Sequence, residues 1–281
     1  MKKLMFGMMA LAAGAAMAIE SANVVGYQNL DINGIDDGGF SYLVSTLPSV
    51  GKSFEELTLN DFSVVSPEGG LTAEASVYVT TFTSDGQMDG EFLYIDEALV
   101  DQGVGGVSEI GWYTKESIDN WEPVLVGDTI IPFGTGVIVQ SDCGAKLTCA
   151  GTVLKEGVTF NINSSSDGGF TYTGNTSPVA CTLKDFAITS PEGGLTAEAS
   201  VYVTTFSNDG QMSGEFLYID EALLDQGVGG VYEIGWHTKD SIDNWEPVSA
   251  GDEIISAGQM FIIQSDCGAF ITIPSAIGTA E

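Results

Sequence analysis

The chain has 281 residues, 44% of them apolar, with 39 Asp+Glu against 8 Lys+Arg and a formal net charge of −31. All eight bases are lysines, so no guanidinium is present to clamp a phosphate or carboxylate through two hydrogen bonds. A field of this sign argues against nucleic acids and anionic membrane surfaces as partners, and leaves cations, basic proteins and uncharged ligands such as glycans. The apolar content suffices to build cores, which argues against a disordered chain.

In chain order, Lys2 and Lys3 form a positive n-region, Leu4 to Ala15 an apolar stretch too short to span a bilayer, and Ala16-Met17-Ala18 a small-x-small cleavage site. Residues 1–18 are therefore expected to be a secretory signal, with the mature chain starting at Ile19 and its net charge falling from −31 to −33. No Cys follows that would carry a lipid anchor. No later stretch is apolar enough to predict a transmembrane segment. The expected location is secreted or cell-surface, with the periplasm as the alternative.

An internal repeat dominates the rest of the chain. Ser66 to Val124 reads almost word for word as Ser190 to Val248, with seven differences, among them Ser108/Tyr232 and Tyr113/His237. Upstream, Asp37-Gly38-Gly39-Phe40 matches Asp167-Gly168-Gly169-Phe170 at a larger offset, which places six extra residues in the first copy near Pro48 to Ser53. A period this long is domain-sized, far beyond solenoid repeats. The expected organisation is a signal over 1–18, one β-domain over 19–151 and a second over 152–281.

Within a copy, Ala75 to Phe82 alternates in period two with β-branched and aromatic residues and predicts a strand. Ser84 to Gly90 has turn residues suited to a hairpin, and Glu91 to Ile95 is the return strand. Asp96 to Gln102 predicts one or two helical turns that stop at Gly103. Val107 to Tyr113 predicts another strand. Ile130 to Gln140 and Lys146 to Val153 flank Ser-Asp-Cys-Gly-Ala and predict a second hairpin. Short strands at this spacing, without a long 3.6-residue period, define the expected fold class: all-β, two tandem homologous antiparallel β-sandwich or barrel-like domains.

The four cysteines do not form a framework pattern. Cys143 and Cys267 are equivalent, whereas Cys149 and Cys181 correspond to Ile273 and Leu57, as small buried hydrophobes would. A Cys149–Cys181 or Cys143–Cys149 bridge remains open. The absence of a CxxC pair and the single His argue against zinc.

Calcium is the best cation hypothesis, because hard oxygen ligands are plentiful. The candidate ligands are Asp31, Asn33 and Asp36 on one Gly-rich loop, and Asp85 with its counterpart Asp209 on the hairpin loop. Ile35 breaks the EF-hand pattern, and ordinary turn chemistry accounts for the same residues. Candidate ligand-binding residues are Trp112, Trp121 and Glu122, repeated as Trp236, Trp245 and Glu246. Indole faces beside carboxylates and amides suit sugar rings, and the competing reading packs the indoles into a core. Gly103-Val-Gly-Gly106 lacks the lysine and the strand-to-helix context of a phosphate cradle. No catalytic residue is assigned: there is no GxSxG motif, His237 has Tyr113 as its counterpart, and only a carboxylate pair could run an enzymatic reaction.

The segment Ile19 to Tyr27, with Gly134 to Gln140 and Ala150 to Val153, resembles a group of uncharacterised secreted bacterial β-rich proteins. That resemblance implies export and β-structure, and no activity. The leading expectation is a secreted acidic structural or interaction protein, self-assembling or cell-surface associated, with an extracellular protein or glycan as partner. The alternative is a carbohydrate-binding module protein, and behind it a carboxylate-based glycosidase.

Overall fold

The computed structural model describes residues 25–32, 39–45, 57–73, 76–83, 85–141, 143–154, 157–163, 169–197, 200–207, 210–265 and 267–274. The signal segment 1–18, the extra residues near Pro48 to Ser53, and Asn33, Asp36 and Asp209 lie outside them.

The structure is all-β, as the alternation predicts. In the first half the strands are β1 (Val25–Asp31), β2 (Gly39–Val44), β3 (Ser63–Val65), β4 (Val77–Phe82), β5 (Met88–Ile95), β6 (Gly111–Thr114), β7 (Gly136–Ser141) and β8 (Lys146–Thr152). They form a five-stranded sheet of order β2-β7-β4-β5-β6 and a three-stranded sheet of order β1-β8-β3, with every pairing antiparallel. The second half supplies β9 (Val158–Asn161), β10 (Gly169–Gly174), β11 (Cys181–Thr182), β12 (Ala187–Thr189), β13 (Val201–Phe206), β14 (Met212–Ile219), β15 (Gly235–Thr238), β16 (Ile254–Ile255), β17 (Met260–Ser265) and β18 (Phe270–Ile273). The five-stranded order recurs as β10-β17-β13-β14-β15 and the three-stranded one as β12-β18-β9. The extra β11–β16 pair has a single bridge, Thr58 to Ile130, as its first-half equivalent.

In each half the two sheets enclose one apolar core. In the first, Val77, Val79, Leu93, Ile95, Val137 and Val139 from the large sheet meet Leu30, Leu147 and Cys149 from the small one. A second core, sharing no residue with the first, contains Val201, Val203, Leu217, Ile219, Phe261, Ile263, Ile271 and Ile273. The β4 sequence Val-Tyr-Val-Thr-Thr-Phe shows how period two does this: Val77 and Val79 point inward, while Tyr78 and Thr80 stay half-buried.

The second predicted hairpin is corrected. Strands β7 and β8 are not partners; β7 belongs to the large sheet and β8 to the small one. The connection carries the chain between sheets, with Gly144 at φ +64° and the Cys143 amide donating to Ser141 Oγ at 3.2 Å. Two apolar strands joined by a polar turn fit a crossover as well as a hairpin, and closing the core over both sheets selects the crossover. The strand predicted over Val107 to Tyr113 is also shorter: residues 104–106 form a 3₁₀ turn and β6 starts at Gly111. The predicted helical turns are present as α1 (Glu97–Asp101), followed by Gly103 at φ +70°.

None of the four cysteines is in a disulfide, so neither open bridge is formed. Cys149 is buried, and burial pushes the Cys181 thiol up to about 12, so both behave as small hydrophobes. Among the described residues no helix is long and apolar enough to cross a membrane.

The Tyr113/His237 difference predicts that the second half responds to acid where the first does not. Tyr113 is buried and its hydroxyl donates to the Glu109 carbonyl at 2.8 Å. His237 is equally buried, and its Nδ1 has no hydrogen-bond partner among the described residues. Burial pushes the imidazole below its ordinary 6.5, with the Glu233 carboxylate opposing weakly. A depressed histidine means that the unfolded chain takes the proton first. Stability is therefore expected to be intact above about pH 6.5 and to fall below it. His237→Tyr should flatten the difference in melting temperature between about pH 7.5 and 5.5, measured by circular dichroism.

Candidate binding loops

The site with the most unusual physical chemistry starts from a short helix, α2 (Lys115–Asp119), which follows β6 directly. Thr114 caps its start by accepting the Ser117 amide at 3.4 Å. At its end the Trp121 amide donates to the Ile118 carbonyl at 3.1 Å and the Glu122 amide to the Ser117 carbonyl at 2.9 Å. That pair of bonds is a Schellman ending, in which the first residue past the cap must be left-handed and is usually Gly. Here the residue is Trp121, at φ +59°. In the second half α3 (Glu221–Asp225) repeats α1, and α4 (Lys239–Asp243) repeats α2. Trp245, again at φ +59°, closes α4 with bonds of 3.1 and 2.9 Å. These two are the only non-glycine residues with positive φ among the described residues.

A bulky side chain in this conformation costs of order 1–2 kcal/mol. Burial does not offset that cost, since Trp121 is 70% exposed and Trp245 69%. The loop is nevertheless held firmly. Ser117 Oγ donates to the Thr114 carbonyl at 2.7 Å and accepts the Val124 amide at 3.1 Å; Ser241 does the same at 2.7 and 3.0 Å. The six-membered edge of the indole rests over Gly106, whose added Cβ would lie 3.5 Å from Trp121 Cε3. An added Cβ on Gly105 would come within 2.8 Å of Ile118. The Gly-Val-Gly-Gly segment is therefore the floor under helix and indole.

The other candidate residues separate. Trp112 and Trp236 are 1% and 2% exposed and belong to the two cores, packed edge-on against Tyr94 and Tyr218. They present no face to a ligand, and this corrects the expectation for both. On β6 and β15 two consecutive residues are buried, Trp112 with Tyr113 and Trp236 with His237, so no period-two alternation marks the inward indole in sequence. Glu122 and Glu246 are exposed next to the presented indoles. Exposed Val124 and Val248 follow on the same loops, and half-exposed Ile110 and Leu125 line a neighbouring groove of about 530 Å³ with Asn60 and Asp128.

Of the calcium candidates, Asp31 is 2.8 Å from the Lys146 ammonium and so is held by a cation already, and Asp85 is exposed and accepts from the Thr83 hydroxyl. Among the described residues no three His, Cys, Asp or Glu side chains converge where a metal ion could be held. The four lysines among the described residues all lie within ion-pair distance of a carboxylate. Among the described residues positive charge is therefore paired throughout, and exposed Glu116, Asp119 and Glu122 make the surface beside Trp121 negative. Asp89, Glu91, Glu116 and Asp119 line a groove of about 540 Å³ with Lys115, but Asp89 is Ser213 in the second half.

Fold and site together define a duplicated all-β protein that presents the same strained, solvent-facing tryptophan twice. No protein-family model matches the chain, and no curated protein or solved structure matches it significantly.

Proposed function

We propose that this is an exported, acidic interaction protein that engages its partner through two equivalent indoles, Trp121 and Trp245. One observation carries the reading: a large apolar side chain occupies the position where the helix ending favours glycine, in both halves, and remains exposed. Strain and exposure both oppose that choice, so folding alone does not account for it. Two such groups on one body suit a repetitive partner, where the second contact forms at high effective concentration. The charge of −31 restricts that partner to an uncharged or cationic surface. An extracellular glycan is the second reading, favoured by exposed Asn120 and Glu122, and Asn244 and Glu246, flanking the indoles.

The test is retention of the mature protein on immobilised polysaccharides and on basic extracellular protein, for Trp121→Gly, Trp245→Gly and the double variant. Each single change should weaken retention by roughly the avidity factor, on the order of a hundredfold, and the double change should abolish it. Glycine fits the left-handed backbone, so the same changes should leave the melting temperature unchanged or higher. Retention unaffected by the double change would refute the reading.

A further inference from the structure

The two halves meet along a junction with approximate two-fold symmetry. Tyr42 stacks on Phe206 with ring centres 3.7 Å apart, and Phe82 stacks on Tyr172 at the same 3.7 Å. Tyr42 and Tyr172 are equivalent in the repeat, as are Phe82 and Phe206, so each half gives its Tyr to the other's Phe. The hairpin loops repeat the pattern, with Gly86 against the Phe170 carbonyl and Gly210 against that of Phe40. Departures from this symmetry mark where the two sides of the junction are built differently. One is steric and central: Met260 fills the space over its counterpart Gly136, whose added Cβ would lie 2.6 Å from Met260 Cγ.

The other departure opens a pocket. On one side of the junction Phe133 is buried, and the Phe160 ring lies over Gly134 so closely that no Cβ would fit there. The Gly134 carbonyl accepts the Thr173 hydroxyl at 2.8 Å, across the junction. On the other side the residues equivalent to Phe133 and Phe160 are Ala257 and Leu30. Two benzyl groups give way to a methyl and an isobutyl group, and a pocket of about 460 Å³ stands between the halves, lined by Ala257, Leu30 and the stacked Tyr42 and Phe206. Pockets of this size, set where two folded units meet, are where small organic ligands bind. Its walls are fixed in place. Gln259 Nε2 donates to the Phe206 carbonyl at 2.6 Å, and Gln259 Oε1 accepts the Ser256 amide at 2.8 Å. The Val44 amide donates to the Gly258 carbonyl at 2.9 Å and ties the halves together beside it.

The lining selects the ligand. Asn29, Ser41, Ser207 and Ser256 bring amide and hydroxyl groups to the pocket, which can pair with ligand hydroxyls. Asp31 is the one charged residue of the lining, and the Lys146 ammonium 2.8 Å away neutralises it. In a chain of net charge −31 this pocket therefore holds no uncompensated charge, and an ionic ligand would lose its hydration without gaining a counter-charge. Polar groups beside aromatic and aliphatic walls match a molecule with hydroxyls at its rim and C–H groups on its faces. We propose that this pocket binds one or two rings of an uncharged sugar, once per molecule, because Phe133 and Phe160 close the equivalent place on the other side. The inference is independent of the indole loops.

The test is isothermal titration calorimetry of the mature protein with cellobiose and with N,N′-diacetylchitobiose. The expected result is saturable binding of at least one of them, at one site per chain. Ala257→Phe, which copies the residue of the closed side, should abolish that binding while the melting temperature holds or rises. Ala257→Leu fills less of the pocket and should weaken binding about tenfold, the effect of losing one good contact. Trp121→Gly with Trp245→Gly should leave it unchanged. Failure of both disaccharides to bind overturns the proposal, as does binding that survives both changes at Ala257. Binding that vanishes only with the tryptophans also overturns it, and leaves the indole reading standing.

Discussion

Asp96→Ala is expected to lower folding stability by about 3–5 kcal/mol, and Asp220→Ala to do the same through the second half. These are the two buried carboxylates among the described residues. Asp96 Oδ1 accepts the Leu99 amide at 3.0 Å and so caps α1, while Oδ2 accepts the Ser66 hydroxyl and the Leu71 amide, both at 2.8 Å. Asp220 repeats the set on Leu223, Ser190 and Leu195. One side chain thus ties a helix start to a loop thirty residues back, and its removal leaves three donors stranded. Ala98 also approaches Gly70, where an added Cβ would meet it at 2.5 Å, so the loop has no room to shift and re-pair.

The same contacts set the acid response. Burial raises the Asp96 pKa, and hydrogen bonds from Leu71, Leu99, Ser66 and Ala98 outweigh it, leaving the group below its ordinary 3.8. The unfolded chain therefore binds the proton first. The contribution is complete above about pH 4 and is lost as pH falls through the depressed folded value, well below the histidine window. Urea denaturation of wild type, Asp96→Ala and Asp96→Asn at neutral pH checks the magnitude. Asn keeps an acceptor and should fall between the other two. An alanine variant within about 1 kcal/mol of wild type would show that the clamp is dispensable.

Trp112→Ala and Trp236→Ala should each cost about 3–5 kcal/mol, since each indole is nearly inaccessible and fills the end of its core. The phenylalanine replacements should separate the halves. The Trp112 indole N–H donates to the Phe62 carbonyl at 3.4 Å, whereas the Trp236 N–H has no partner among the described residues. Trp236→Phe removes a buried donor that gains nothing, so it should cost less than Trp112→Phe by about 1 kcal/mol. Equilibrium denaturation of the two variants measures that difference, and equal costs would contradict the hydrogen-bond assignment.

Much of this molecule was legible as sequence. The near-identity of Ser66 to Val124 and Ser190 to Val248 required two similar bodies, and period-two alternation through Ala75 to Phe82 required a half-buried strand. Asp96 ahead of Glu-Ala-Leu-Val, with Gly103 after it, marked a short capped helix, because caps depend on neighbours three or four residues away. The absence of arginine likewise shows in the sequence alone that no side chain can clamp a phosphate or carboxylate through two hydrogen bonds.

Only the tertiary structure decided which tryptophans face water. Trp112 lies in the predicted strand Val107 to Tyr113 and Trp121 nine residues on between Asn120 and Glu122, and neither local pattern says which indole faces water. Long-range packing made the choice: Trp112 meets Leu59, Phe62 and Leu147, and α2 buries Ile118 in the same core while the residue past its end, Trp121, is left facing solvent. The same holds for the crossover between β7 and β8, and for the meeting of Tyr42 with Phe206 and of Met260 with Gly136. Those contacts join residues more than a hundred positions apart, and burial at such distances depends on which sheets stack, information that a linear chain carries only through its folded packing.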